Sequence, residues 1–174
     1  MGVISAALTG NYEVIGNPAA ADCIIGQSFG ASEYGPGPVN AHLAYFILEH
    51  CADRPLILQN EIAEIVSDTA PVAHVVEGSP STMGGGELDS WRVLEAAAGY
   101  MEQHQLSRPL LVAQAYHVGR VTLQAKKQGL SPIVPADLPR LFDHHSTQPW
   151  TRSARAWRMR ELPGLAYLKL RGKL

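Results

Sequence analysis

Positive charge is nearly missing from the first 107 residues of this chain, where only Arg54 and Arg92 stand against thirteen acidic side chains, a charge of −11. Residues 108–174 reverse the balance with twelve basic and three acidic side chains, +9, so the formal total of −2 averages two opposed halves. Other scarcities exclude whole classes. Charged residues make up 17% and hydrophobic ones 46%, against roughly 25% charged in an average soluble domain, which argues against disorder and against a coiled coil. No apolar run approaches the ~20 residues that cross a bilayer; the longest, around 44–48 and 110–113, are the size of a strand or helix core. The start, Met1-Gly2-Val3-Ile4-Ser5-Ala6, has no basic segment for secretion and puts Ala6 where a myristoylation motif needs Ser or Thr. Cys23 and Cys51 lack metal-ligand spacing and read as buried thiols rather than a disulfide or zinc site. A cytoplasmic protein is expected.

What is present has the rhythm of βαβ units. Apolar runs of strand length alternate with amphipathic stretches, which predicts an α/β fold around a mostly parallel sheet. The 174 residues fit one domain. Strands are expected at 23–25, 56–59, 73–77 and 109–114, with a short Pro-bounded edge strand at 132–135. Helices are expected at 39–51, 60–67, 87–104 and 118–128. From residue 151 the spacing of Ala154, Trp157, Leu162, Leu165 and Leu168 predicts a helical extension in two pieces, divided near Pro163-Gly164. In open parallel sheets ligands bind beyond the carboxyl ends of the strands. That rule selects the loops 26–30, 59–61, 77–86 and 114–120.

The strongest constellation is Ala115-Tyr116-His117-Val118-Gly119-Arg120, at a strand end that opens into a helix. Free N–H groups and the helix dipole favour an anion there. His117 and Arg120, three apart, share a helical face; Arg120 can grip phosphate or carboxylate in a fork, and His117 is a donor or base. A capping histidine beside a surface ion pair is the structural alternative. Asn60 and Glu61, at another strand-to-helix turn, read either as a cap with a dipole-favoured glutamate or as contacts to a ribose-like hydroxyl.

The run from Pro109 through Tyr116-His117-x-x-Arg120 resembles the strand and Tyr-His-x-x-Arg segment of the YdcF/SanA/ElyC family, bacterial domains of largely unassigned function. Asp22-Cys-Ile-Ile-Gly26 resembles that family's first strand and turn, Asn60-Glu61-Ile-Ala63 its Ser-Glu-Ala segment, and Arg160-Glu161-Leu-Pro-Gly164-Leu-Ala-Tyr167 its Arg-Glu-x-x-Gly-x-x-Tyr ending. The resemblance implies a Rossmann-like three-layer sandwich with a cleft for a phosphate-bearing or nucleotide-like ligand, S-adenosylmethionine having been proposed in the family. It carries Glu77 and Thr82 into the site, and the loop 79–82 brings Ser79 with them. The chain departs from the family at this loop, where Glu77-Gly-Ser79-Pro-Ser81-Thr82-Met-Gly-Gly-Gly-Glu87 stands in place of Glu-x-x-Ser-x-Asn-Thr followed by Glu-Asn.

Other motifs compete. Gly26-Gln27-Ser28-Phe29-Gly30 matches the Gly-x-Ser-x-Gly nucleophile elbow, but Gly35-Pro36-Gly37-Pro38 leaves little room for the helix that must follow; Ser28 reads better as a hydrogen-bond donor to a ligand phosphate. Asp143-His144-His145 with Asp137 offers metal-ligand chemistry but reads as a solvent loop, and no metal site is expected. Arg152, Arg155 and Arg158, at spacings of three, are expected on one helical face with Arg160 nearby, against Trp150 and Trp157; the acidic first half argues against nucleic acid as a partner, leaving a solvated face or a contact to ligand phosphate or anionic lipid.

Three functions follow. One is a small-molecule-binding domain holding its ligand with Gly26, Ser28, Phe29, Gly30, Asn60, Glu77, Ser79, Thr82, Tyr116 and Arg120. The second is a hydrolase or transferase acting on a phosphoester, with His117 and Glu61 as the catalytic pair. The third is a non-catalytic interaction module, a homodimer whose oppositely charged halves pair.

Overall fold

A computed structural model describes residues 3–51, 53–78 and 89–174. The elements are α1 (Val3–Thr9), β1 (Cys23–Gly26), α2 (Gly37–Cys51), β2 (Leu56–Gln59), α3 (Asn60–Val66), β3 (His74–Val76), α4 (Ser90–Gln103), β4 (Pro109–Val112), α5 (Ala115–Lys127) and α6 (Ala154–Leu170). Four parallel strands form one sheet in the order β3-β2-β1-β4, with Ile24 opposite both Leu56 and Leu110. Helices flank it in a Rossmann-like α/β sandwich. Every residue of β1, β2 and β4 is buried. Continuous apolar runs such as Leu56-Ile57-Leu58 are what a strand covered on both faces requires.

Strand order positions the site. The chain steps outward from β1 to β2 to β3, then crosses back to lay β4 on the other side of β1. Right-handed crossovers turn that reversal into a change of face, and α2 packs with α3 while α4 packs with α5. The loops after β1 and β4 therefore diverge to opposite faces and leave a crevice between them, the topological switch point where ligands bind in such sheets.

Several elements differ from expectation for identifiable reasons. α6 runs unbroken through Pro163. Proline leaves the carbonyl four residues back, on Met159, without its N–H partner; both residues are exposed, so that carbonyl meets water. The edge strand at 132–135 shrinks to two bridges, Leu110 with Ile133 and Ile15 with Val134, because prolines on either side cannot donate to a ladder. α5 begins three residues earlier than expected, since the Gln114 side chain accepts from Tyr116 N and caps the helix. α1 carried no periodic or capping signal. It rests on α5 at Gly119, where a Cβ would come within 2.7 Å of Ala6 Cβ. Cys23 is buried, and its thiol is pushed up to about 12 by burial and then by Asp22. The Cys51 side chain lies outside the described residues. Among those residues, no helix is long and apolar enough to cross a membrane.

Candidate functional site

The β1 loop forms one wall of the crevice. Gly26 is still part of the sheet: a Cβ there would sit 2.7 Å from Leu58 Cδ2 and 3.1 Å from Ile47 Cδ1, so this glycine serves packing and lies outside the pocket. Beyond it, two side-chain amides fix the backbone. Gln59 Oε1 accepts from Ser28 N at 3.1 Å, and Asn40 Oδ1 accepts from Phe29 N at 2.8 Å while its Nδ2 donates to Pro36 O at 2.6 Å. Gly30 has φ 84°, and a Cβ would lie 3.0 Å from Thr151 Oγ1; position and conformation both call for glycine. Residues 29–36 separate Ser28 from α2. That is not the strand-to-helix turn of a nucleophile elbow.

The opposite wall is the start of α5. His117 is buried, with its ring beside a Phe29–Trp157 contact, its centroid 6.1 Å from that of Phe29 and 5.6 Å from that of Trp157. Its Nε2 lies 2.9 Å from Arg120 Nη2. A guanidinium only donates, so Nε2 accepts and the ring proton belongs on Nδ1, which has no partner among the described residues. Burial holds the His117 pKa well below its ordinary 6.5, and the charges of Arg120 and Arg160 add to the effect. The imidazole is neutral and supports Arg120.

α6 closes the crevice and supplies what sequence reasoning left out of the site. Glu161 is fully enclosed, 3.3 Å from Arg120 Nη1. Burial raises its pKa against the pull of Arg120 and Arg160. Arg120 lies over the Trp157 ring at 5.6 Å and Arg160 over Trp150 at 5.0 Å, cation–π contacts that hold each guanidinium in place. Burial and then the neighbouring Arg120 lower the Arg160 pKa. The resulting pocket, about 100 Å³, is lined by Ser28, Phe29, His117, Arg120, Trp157 and Arg160, among others. The Arg-rich tail, for which a contact to ligand phosphate is one of the expectations, and its Arg-Glu pair hint at this third wall. No local pattern placed Trp157 and Arg160 beside His117.

The remaining expected site residues are dispersed. Tyr116 faces away, its ring against Gly10 and edge-on to Phe142 at 5.1 Å. Asn60 is the first helical residue and not the cap; Gln59 holds that position without a side-chain cap bond. Asn60 Oδ1 and both Glu61 carboxylate oxygens are buried without a well-formed hydrogen bond among the described residues. Glu61 has Ser28 and Gln59 beside it, and burial raises its pKa. Glu77 is exposed just after β3. Ser79 and Thr82 lie outside the described residues. Asp143 stabilises its own turn by accepting from His145 N at 2.9 Å, and no metal-ligating cluster of three occurs among the described residues. Arg152 lies before α6, and its Nε donates to Ser146 O at 2.7 Å. It therefore does not share a helical face with Arg155 and Arg158.

Comparison with protein-family models, with curated proteins and with solved structures found no match.

Proposed function

We propose that the protein binds a small phosphate-bearing molecule, nucleotide-like in the YdcF-like reading of its sequence, in the crevice between the β1 and β4 loops. One observation carries this: Arg120 and Arg160, each seated on a tryptophan, line a single pocket together with His117, and one enclosed carboxylate, Glu161, balances them. Asp89, also on the lining, is engaged by Lys173 at 3.5 Å. Two partly buried guanidinium groups disfavour each other unless an anion joins them, and a phosphate accepts from both in charge-assisted bonds. The same excess of positive charge favours a phosphate over S-adenosylmethionine, whose sulfonium is itself cationic.

Titration calorimetry with inorganic phosphate, pyrophosphate, adenosine monophosphate and S-adenosylmethionine tests the reading. At least one phosphate compound is expected to bind, with affinity reduced about tenfold or more in Arg120→Ala and in Arg160→Ala, as for loss of a hydrogen bond to a charged group. Binding unaltered in both variants would remove the proposal.

Turnover is a second reading, favoured by Glu61. Glu61, whose pKa burial raises, lies behind the pocket wall beside the Ser28 side chain, and Ser28 lines the pocket, so the hydroxyl would relay a proton between the acid and a bound phosphoester. His117, with one ring nitrogen engaged by Arg120 and the other enclosed, fits the positioning of Arg120 better than proton transfer. Release of phosphate from a panel of phosphoesters, abolished in Glu61→Gln with binding retained, would establish this reading.

A further inference from the structure

α6 is apolar on two sides, and the fold covers one of them. Trp157, Glu161 and Leu165 are buried on its inner side. Met159, Leu162, Ala166 and Leu170 follow at spacings of three and four, which places them together on another face. All four are exposed, Met159 by 72% and Leu170 by 87%. Isolated apolar residues on a surface are ordinary, whereas a continuous stripe marks a place of interaction. α1 packs against α6, contains no charged residue, and leaves Ile4 exposed.

Charge selects the partner. Residues 152–173 contain seven cationic side chains and one acidic one, Glu161, which is enclosed in the domain. Arg155, Lys169 and Arg171 are exposed on α6 and its C-terminal turn. Tyr167, also exposed, accepts from Arg171 Nε through its hydroxyl at 3.1 Å, an amphipathic ring with its polar tip tied to a cation. A second copy packed stripe to stripe would set these cations against their equivalents. A stripe packed on the acidic half of another copy would form a head-to-tail contact that need not close.

We propose that α6 docks the protein onto an anionic lipid surface. Met159, Leu162, Ala166 and Leu170 enter the acyl boundary, while Arg155, Lys169 and Arg171 meet headgroup phosphates. The pocket lies on the other side of the helix, so this inference stands apart from the proposed ligand.

Co-sedimentation of the full chain with vesicles tests it, using phosphatidylcholine alone and phosphatidylcholine mixed with phosphatidylglycerol. Binding is expected to the anionic vesicles only and to weaken with salt. It should fall about tenfold or more in Leu162→Ser/Leu170→Ser and in Arg155→Gln/Lys169→Gln. These positions are exposed, and circular dichroism will verify that the variants keep the fold. Absence of anionic binding, equal binding to neutral vesicles, or indifference to Leu162→Ser/Leu170→Ser overturns the proposal. Binding that depends on Arg120 instead would assign the headgroup to the pocket and also overturn it. Self-association abolished by Leu162→Ser/Leu170→Ser, without vesicle binding, would give the stripe to a second copy.

Discussion

Arg120 of α5 and Glu161 of α6 meet at 3.3 Å, with the carboxylate shut off from solvent. The arginine proposed to hold the ligand is thus held by a segment distant in sequence, and the pair ties the last helix to α5.

Removing Arg120 should act on stability and binding separately. Arg120→Ala strands a buried carboxylate, a change that typically costs about 3–5 kcal/mol, measurable by urea denaturation. Adding Glu161→Gln to that variant removes the stranded charge, so much of the stability should return while phosphate affinity stays low. Recovery of binding in the double variant would show that Arg120 does not contact the ligand.

His117 makes stability depend on pH. Its native pKa lies below the unfolded value of about 6.5, so under acid conditions the unfolded chain takes up a proton that the native ring refuses. The contribution of His117 is complete above pH ~6.5 and is lost as pH falls below it. Glu61 and Glu161 work the other way: raised in the native state, they stabilise when protonated and lose that effect as pH rises from ~4.5 through their native values. Denaturation between pH 5.5 and pH 7.5, about one unit either side of the histidine value, should show a decline toward acid that is flatter in His117→Phe. An identical decline in that variant would contradict the assignment.

Gly26→Ala separates packing from ligand contact. The new methyl meets Leu58 Cδ2 at 2.7 Å, and overpacking of this kind costs about 1–3 kcal/mol. Thermal denaturation should reveal the loss, while the folded fraction retains its phosphate affinity. A large loss of affinity with unchanged stability would move Gly26 into the site.

Asn40→Ala should loosen the β1 loop. It leaves Phe29 N–H and Pro36 C=O without their partners at 2.8 and 2.6 Å, a cost of about 1–3 kcal/mol for each group that stays buried. Asn40→Asp keeps an acceptor for Phe29 N but sets a buried carboxyl group against Pro36 O, so it should lose global stability while still holding Phe29 N. Hydrogen exchange at Phe29 N gives the local readout: fast in Asn40→Ala, slower in Asn40→Asp. Equal protection in all three proteins would show that the amide does not hold the loop.

Local pattern was enough for the α/β class, the four main strands and the helices between them. A strand buried on both faces must be a short apolar run, and a helix laid on a sheet must show its period; Leu110-Leu111-Val112 and the helix from Ser90 carry those marks within themselves. The same reasoning placed Ser28, His117 and Arg120 at strand ends, where the backbone geometry of parallel sheets directs ligands. It could not tell which way Tyr116 would face, because that depends on α1 and Gly10. Nor could it unite α6 with the pocket. Trp157, Arg160 and Glu161 reach Phe29, His117 and Arg120 through side-chain packing across most of the chain. The charge split present in the composition remains two numbers until folding brings the basic tail to the switch point between β1 and β4, because strand order and helix packing set that meeting and neither is encoded in any one segment.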